Sequence, residues 1–218
     1  MNPGQPLNVY AICKMKLGLI TDIHEQVELL RSVLDQLSHE QVDQTVVIGD
    51  VFETGDRIRE TCELLADAQV IGVWGNHDFG LCDDPPDALR DQYGDLVVDF
   101  MSSLQPRLEI EGCLFQHVEP WLNPNDITDL WYFEGVPDTP EKIARIFHAM
   151  PHRLAFAGHY HSWLQVTPDG ITDWTGEVTV RLAEPERYFV VIGALCYGRY
   201  ATFDTESFEL VPRQIDVR

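Results

Sequence analysis

The sequence predicts an α/β fold, a four-layer α-β-β-α sandwich in which two mixed sheets pack together and helices lie outside. In the first half of the chain, short apolar runs alternate with amphipathic segments, which is typical of parallel strands joined by helices. After residue 162 the apolar runs follow one another without a helical segment, which indicates a second, strand-rich region. A chain of 218 residues can build one sizeable core, and no linker or repeat divides it. We therefore predict a single domain over residues 15–218.

The first half reads as a β-α-β-α-β series. "KLGLITD", "VDQTVVIGD" and "QVIGVWGN" are the predicted strands, and "RIRETCELLADA" is the second of the two predicted helices between them. The first helix is predicted over "EQVELLRSVLDQLSHE", whose apolar residues recur at helical spacing. These residues are Val27, Leu30, Val33, Leu34 and Leu37.

The middle of the chain breaks this alternation. The acidic "CDDPPDALRDQYGD" indicates a loop with room for a short helix, and "LVVDFMSSL" indicates a helix. "RLEIEGCLFQHVEP" predicts a hairpin that turns at Glu111 and Gly112. "EKIARIFHAM" predicts a helix and "HRLAFAGHYH" a strand, after which four strand-like segments complete the chain: "SWLQVTPDGITDW", "GEVTVRLA", "RYFVVIGAL" and "YATFDTESFELVP".

The charge balance restricts the partners of this protein. Lysine and arginine number 15, aspartate and glutamate number 36, and the formal net charge is −21. Such a charge repels polyanions at long range, which argues against nucleic acid and anionic membranes as partners. It favours cations, metal ions included.

The remaining composition indicates a cytoplasmic protein. The longest apolar run, "YFVVIGALCY", is too short to span a bilayer, and "MNPGQPLNVY" lacks the apolar core of a signal peptide. Residues 1–14 precede the first predicted strand, and we expect them to form a flexible extension. The cysteines are scattered and odd in number, as expected of free thiols in a reducing compartment: Cys13, Cys62, Cys82, Cys113 and Cys196.

Polar side chains follow five of the apolar segments. The third predicted strand ends in "WGNHDFG", where Asn76, His77 and Asp78 are either ordinary turn residues or groups that the strand delivers to a site. Because functional groups gather beyond the carboxyl ends of parallel strands, five such endings favour a site. The other four endings supply Asp22 with His24, Asp50, His117, and His159 with His161.

The residue types at these endings indicate a metal centre. Residues two apart in an extended chain project to the same side, so each spaced pair can reach one site. Two aspartates, one asparagine and four histidines form an oxygen and nitrogen set that suits Mn, Fe, Co, Ni or Zn better than Ca. Without a cysteine in the set, a structural zinc site is disfavoured. Seven ligands exceed the need of one four-coordinate ion and suit two ions that share a carboxylate.

Taken in order, "TDIH", "GDVFETG", "GNHDFG", "FQHVEP" and "GHYH" resemble the motifs of the calcineurin-like metallophosphoesterase family, over residues 17–161. His117 departs from the pattern, because Val118 and Glu119 follow it where the family more often has glycine; a structural histidine is the alternative there. The resemblance implies that Asp50 bridges two ions. It assigns Asp22, His24 and His161 to one ion, and Asn76, His117 and His159 to the other.

The same resemblance implies a catalytic role for His77, which would face the phosphate, while Asp78 would hold its ring. The expected reaction is hydrolysis of a small phosphodiester or phosphomonoester by metal-activated hydroxide, with two divalent ions, Mn first and Fe, Zn, Ni or Co as alternatives. A metal-dependent nuclease and a non-catalytic interaction scaffold of the same fold are the competing functions. The expected partner is the small substrate alone, with no nucleic acid and no membrane.

Two features of the sequence concern substrate binding. Arg199, in "CYGRY", is either a phosphate contact or part of a surface ion pair. The segment between His117 and His159 is rich in aromatic residues, and it is either a lid whose rings stack on a base or a packed loop. Its aromatic residues include Trp121, Trp131, Tyr132 and Phe133.

Overall fold

The computed structural model describes residues 14–216. Its strands are β1 (Lys16–Ile20), β2 (Gln44–Ile48), β3 (Ile71–Val73), β4 (Leu108–Ile110), β5 (Cys113–Phe115), β6 (Leu154–Ala157), β7 (Leu164–Thr167), β8 (Gly170–Ile171), β9 (Val180–Arg181), β10 (Tyr188–Val191), β11 (Arg199–Asp204) and β12 (Glu209–Gln214). Its α-helices are α1 (Val27–His39), α2 (Ile58–Asp67), α3 (Phe79–Cys82), α4 (Asp87–Tyr93), α5 (Asp95–Met101), α6 (Ile127–Leu130) and α7 (Pro140–Ala149). The predicted extension lies, apart from Lys14, outside the described residues; it and the single-domain assignment stay predictions.

Two mixed sheets of six strands form the centre of the structure. The first sheet has the order β3-β2-β1-β11-β12-β9, in which β1, β2 and β3 are parallel and the later strands are antiparallel. The second sheet has the order β4-β5-β6-β10-β7-β8, with β5, β6 and β10 parallel. The predicted ligands follow the carboxyl ends of five of these parallel strands, namely β1, β2 and β3 of the first sheet and β5 and β6 of the second.

Helices cover the outer faces of both sheets. The apolar face of α1 is buried through Leu30, Val33 and Leu37, in a core shared with α2, α5 and the outer face of the first sheet. On the second sheet, α7 packs Ile146 and Phe147 in the same way. The four-layer α-β-β-α sandwich predicted from the sequence is therefore confirmed, although α7 is the one long helix of its layer in the described chain.

The inner faces of the two sheets share an apolar core. Phe115 of β5 stacks on Phe156 of β6 with ring centroids 5.3 Å apart, and Phe156 meets Phe203 of the first sheet at 5.0 Å. All three rings are buried, and burial of a phenylalanine side chain stabilises a fold by about 1.5–3 kcal/mol. The core thus fixes the positions of the central strands, and with them the positions of their ends.

Local structure agrees with the predicted elements, with shorter strands at the edges. The β4–β5 hairpin turns at Glu111 and Gly112, whose φ angles of 48° and 74° suit the two-residue turn that matches strand twist. The third strand covers only Ile71–Val73, because the N–H of Trp74 bonds to Gln105 as the chain leaves the sheet. No described helix is long and apolar enough to cross a membrane; the cytoplasmic location stays a prediction.

Candidate metal centre

All seven predicted ligands lie at one end of the sandwich, where the strands of both sheets finish. They form two groups that overlap at Asp50. The first cluster consists of Asp22, His24, Asp50 and His161, and the second cluster consists of Asp50, Asn76, His117 and His159.

The first cluster joins both sheets. The Nε2 atoms of His24 and His161 lie 3.1 Å apart, and Nε2 of His161 lies 3.3 Å from Oδ1 of Asp22. Nε2 of His24 lies 3.8 Å from Oδ2 of Asp50. One atom from each of the four side chains falls within 4.8 Å of all the others. Such a convergence of carboxylate oxygen and imidazole nitrogen is the donor set of a borderline divalent cation.

The second cluster is more deeply buried. Oδ1 of Asn76 lies 2.9 Å from Nδ1 of His159 and 3.1 Å from Nε2 of His117. Nε2 of His117 also lies 3.2 Å from Oδ2 of Asp50, the same oxygen that faces His24. His117 is completely buried, and its Nε2 lies within contact distance of both the amide oxygen and the carboxylate.

The outward-facing ring nitrogens of two histidines orient them as ligands. Nδ1 of His117 donates to the carbonyl oxygen of Ile48 at 2.7 Å, which leaves Nε2 as the nitrogen directed into the second cluster. Nδ1 of His24 lies 2.7 Å from Oε2 of Glu53, which likewise leaves Nε2 for the first cluster. A hydrogen bond to the remote nitrogen commonly fixes the tautomer of a metal-binding histidine, as it does at His117. At His24 the Glu53 carboxylate makes a close contact with the same nitrogen, so both side chains fit a metal ion.

Electrostatics within the clusters shift several pKa values. Burial lowers the pKa of His117, but the Asp50 carboxylate outweighs this effect and raises it to about 9. Burial in turn raises the pKa of Asp50, and the charge of His117 outweighs it, so the pKa falls below its usual range. The carboxylate of Asp22, followed by Cys196, raises the pKa of His161 to about 10. Burial, followed by repulsion from His117, lowers the pKa of His159 to about 4.

The backbone at the site adopts conformations that side chains rarely tolerate. Five of the seven predicted ligands have φ angles between 46° and 68°. Left-handed conformations of residues other than glycine cost of order 1–3 kcal/mol each and persist where the surrounding fold imposes them. Their concentration at the strand ends supports a functional site there. These residues are Asp22, His24, Asp50, His159 and His161.

Two glycines allow the strand ends to approach each other. A Cβ at Gly75 would lie 2.1 Å from Oδ1 of Asp50, and a Cβ at Gly158 would lie 2.0 Å from Oγ1 of Thr21. Both distances are far below van der Waals contact. Because glycine has no Cβ, the segment at Gly75 can pass close to Asp50, and the segment at Gly158 can pass close to Thr21. Asp50 and the Thr21–Asp22 segment can therefore reach the centre.

His77 lies beside the clusters, in contact with His24. Its ring centroid is 4.9 Å from that of His24, and its backbone N–H donates to Oδ1 of Asp50 at 3.0 Å. Its Nδ1 lies 3.6 Å from Oε2 of Glu53. A surface pocket of about 380 Å³ opens at this point, with His24, Glu53, His77 and His161 in its wall. The larger groove beside α7, of about 620 Å³, contains none of the predicted site residues.

The expected contact between Asp78 and the ring of His77 requires a correction. Among the described residues no hydrogen bond joins the two side chains. The buried carboxylate of Asp78 instead accepts the backbone N–H groups of Val51, Phe52 and Gly75, at 2.9–3.0 Å. Burial, followed by the charge of Asp50, raises the pKa of Asp78 to about 6. Asp78 thus ties the β2 loop to the β3 loop, and Glu53 is the carboxylate nearest to the ring of His77.

Glu53 is a site residue that sequence reasoning assigned no role. It lies three positions after Asp50, inside the "GDVFETG" motif, so its place in the motif was the available signal. The buried carboxylate of Glu25 accepts the N–H groups of Glu53, Gly55 and Arg57, at 2.7–2.9 Å. This anchor holds the loop so that Glu53 reaches two histidines.

Arg199 lies behind the first cluster. Its guanidinium donates to the backbone carbonyl of His161 at 3.3 Å and lies over the ring of Tyr197. A direct phosphate contact by Arg199 stays a prediction. The aromatic segment meets the site through Trp131 and Phe133, whose rings lie against His77 and His159.

Comparison with known proteins identifies the family of this chain. The family model of the calcineurin-like phosphoesterase superfamily domain matches residues 15–202. The chain belongs to that family. It is therefore placed among phosphoesterases, which are hydrolases, in a family that uses divalent metals.

Individual relatives cover nearly the whole chain. An uncharacterized protein of Methanocaldococcus jannaschii is 24% identical over 230 residues, which cover 94% of this chain and 90% of the relative. The crystal structure of a metallophosphoesterase from Sphaerobacter thermophilus has a TM-score of 0.74 at 22% identity, over 94% of this chain and 90% of that one. A structure described as a novel archaeal phosphodiesterase has a TM-score of 0.52 at 16% identity, over 92% and 100% of the two chains.

Proposed function

We propose that this chain hydrolyses a small phosphodiester or phosphomonoester with two divalent transition-metal ions. The observation that carries the proposal is the position of Asp50, whose Oδ2 faces His24 of one cluster and His117 of the other. A carboxylate shared between two sets of ligands is the arrangement that a two-ion site requires. Manganese is the proposed ion, with iron, zinc, nickel and cobalt as alternatives.

The chain's own residues would divide the work as follows. Two bound ions supply activation of a water molecule near neutral pH and neutralisation of phosphoryl charge. Asp22, His24 and His161 hold one ion, and Asn76, His117 and His159 hold the other. Each set draws on an aspartate or amide oxygen and on imidazole nitrogens that are already directed inward.

His77 is the proposed proton donor to the leaving oxygen. It lies next to His24 and belongs to neither the first nor the second cluster, although its ring also converges with His24 and Glu53 to within 4.8 Å. Its Nδ1 lies 3.6 Å from the Glu53 carboxylate, and a ring held at this position can donate a proton to the negative charge that develops on the leaving group. The backbone N–H of His77 bonds to Asp50, and this bond keeps the ring at a fixed position relative to the clusters.

The charge distribution supports a small substrate over a nucleic acid. The formal net charge is −21, and several arginines are engaged in ion pairs with nearby acids, as Arg57 is with Glu28 and Arg213 is with Glu40. Duplex DNA binds through many lysine and arginine contacts that release counterions. A small ester can be bound by the positive charge of the two ions alone, because it does not extend over the acidic surface around the site.

The test uses purified protein saturated with Mn²⁺. Bis(p-nitrophenyl) phosphate, p-nitrophenyl phosphate and linear duplex DNA are offered in parallel, at low and moderate salt, with and without EDTA. We expect hydrolysis of a chromogenic ester, no turnover of DNA, and loss of activity in EDTA that excess Mn²⁺ restores. DNA cleavage that weakens steeply with salt would favour the nuclease instead. Metal binding without hydrolysis of any ester would favour the non-catalytic scaffold.

A further inference from the structure

Two large aromatic rings stand exposed at the edge of the candidate metal centre. Trp131 is 55% exposed and Phe133 is 54% exposed, although both rings contact site residues. The ring of Trp131 lies 5.0 Å from that of His77, and the ring of Phe133 lies 5.4 Å from that of His159. Large apolar side chains exposed beside a polar site mark a surface to which a ligand can bind.

The segment that carries these rings is anchored at points away from the centre. The indole N–H of Trp74 donates to the carbonyl of Pro124 at 2.8 Å, before α6. Asp126 caps α6 by accepting the N–H of Thr128 at 2.8 Å. After the helix, the ring of Tyr132 packs edge-on against Trp121 at 5.5 Å. These anchors fix the segment.

The two rings that face the site therefore hold their positions without being covered themselves. On the other side of the segment, Glu134 forms an ion pair with Arg145, and Lys142 bonds to the carbonyl of Glu134 at 3.2 Å. Because Tyr132 is turned toward Trp121, Trp131 and Phe133 are left as the ring surface beside the site. A side chain whose position is set by its neighbours loses little entropy when it binds a ligand.

We infer that Trp131 is a specificity-determining residue that stacks against a planar ring on the leaving group of the substrate. The inference rests on the proposed function, because it takes His77 as the group that protonates the leaving oxygen. Since the Trp131 ring packs beside His77, a substituent on that oxygen emerges next to the indole face. The favoured substrates are phosphate esters whose leaving group carries a nucleobase or a similar flat ring.

The surroundings favour a planar ring over a charged group. Arg145 and Lys142, the basic side chains of the neighbouring segment, are paired with Glu134 and Asp138. These basic side chains are therefore already paired with carboxylates, and a second phosphate on the substrate would lie next to those carboxylates. A quaternary ammonium group is recognised by several ring faces that converge on one point. In the described structure Trp131 and Phe133 face different histidines, and no contact joins their rings.

The test compares two ligands that differ only in the base. Adenosine 5′-monophosphate and ribose 5-phosphate present the same phosphate on the same primary carbon, so the metal centre contacts both alike. Binding to the Mn²⁺-loaded protein is measured by calorimetry, and both compounds are also measured as competitive inhibitors of chromogenic ester hydrolysis. Stacking of one base on an aromatic side chain is expected to strengthen binding at least about fivefold. Trp131→Ala should bring the affinity ratio close to one, and Trp131→Phe should restore part of it.

Ile127→Ala is the matched control, because Ile127 is an exposed apolar residue of α6 that is 43% exposed and belongs to neither cluster. It should keep the wild-type affinity ratio. A ratio near one in the wild type, or an unchanged ratio in Trp131→Ala, would overturn the inference. If phosphocholine binds more tightly than ethyl phosphate, and if this difference depends on Trp131, then Trp131 recognises a cationic group and not a planar ring. If no ester is hydrolysed, the proposed function fails, while the calorimetric ratio still decides whether Trp131 selects a base.

Discussion

Replacing Gly158 with alanine should disturb packing and metal binding together. Gly158 follows β6 and precedes His159, where the second sheet meets the end of β1. An added Cβ would lie 2.0 Å from Oγ1 of Thr21 and 3.0 Å from Oδ2 of Asp22. The Thr21 hydroxyl lies 2.9 Å from both Oδ2 of Asp22 and the carbonyl of Ile48, so it cannot move without releasing a predicted ligand.

The magnitude follows from two contributions. Overpacking at a filled position costs about 1–3 kcal/mol. Displacing the Thr21 hydroxyl loses a buried hydrogen bond, which costs about 1 kcal/mol. Together these give a loss of about 2–4 kcal/mol in the free energy of unfolding. For a chain of this size each kcal/mol lowers Tm by about 2–4 °C, so Tm should fall by roughly 5–15 °C.

Urea denaturation in EDTA measures the packing term without any metal contribution, and elemental analysis after saturation with Mn²⁺ measures the loss of ligand geometry. Gly80→Ala is the control, because a Cβ there meets nothing within 4 Å and the residue lies in α3. That change should be neutral or stabilising by up to about 1 kcal/mol. If Gly158→Ala unfolds within about 0.5 kcal/mol of the wild type and retains its full metal content, the close-approach argument is refuted.

The remaining predictions concern the roles of individual residues and of pH. His77→Ala should keep its metal content while turnover falls by about 10²–10⁴, whereas Asp50→Asn should lose both; equal metal loss in the two variants would contradict the assigned roles. Glu53→Gln should weaken Mn²⁺ binding by about 10–100-fold, measured by competition with a chelating dye, and unchanged binding would mean that the contact of Glu53 with His24 does not support the ligand. Because the pKa of His117 is raised to about 9 and that of His161 to about 10, an entering ion displaces protons from both at neutral pH. Apparent Mn²⁺ affinity should therefore rise between pH 6 and pH 8, by about tenfold per pH unit for each displaced proton, with proton release detected in buffers of different ionisation enthalpy; a flat profile would contradict the coupling.

The central elements of the fold were predictable from the sequence because their patterns are local. The apolar spacing in α1 corresponds to the face that is buried, and Gly112 in the predicted turn adopts a φ of 74°, which glycine tolerates readily. The order of the strands within the two sheets is harder to predict from the local sequence pattern. β1 pairs with β11, about 180 positions later, through a register that no local signal specifies. Such long-range pairing depends on the shared core rather than on any one segment.

The convergence of the predicted ligands at one place could be predicted because strand ends are visible in sequence. The groups that contact these ligands could not be predicted in the same way, because the contacts are made between different loops. The Thr21 hydroxyl and the Ile48 carbonyl each contact a predicted ligand, but neither residue type indicates a metal site. Glu53 contacts His24, and only its place inside the "GDVFETG" motif could have indicated it. Their roles depend on left-handed backbone angles that place the loops in contact, as at Asp50 and His24, and such angles are not readable from residue type.

The "GNHDFG" stretch shows why neither simple interpretation of a polar strand end is sufficient. As a turn, it needs Asp78, whose carboxylate satisfies three backbone N–H groups from two loops. As part of a site, it needs Asn76, whose amide oxygen faces two histidines, and His77, which lies outside the ligand clusters and beside Trp131. The turn holds the site in place, because the N–H groups that Asp78 accepts belong to the residues that follow Asp50 and precede Asn76. One short segment thus connects the shared carboxylate, the amide ligand and the proposed proton donor in a single hydrogen-bonded unit.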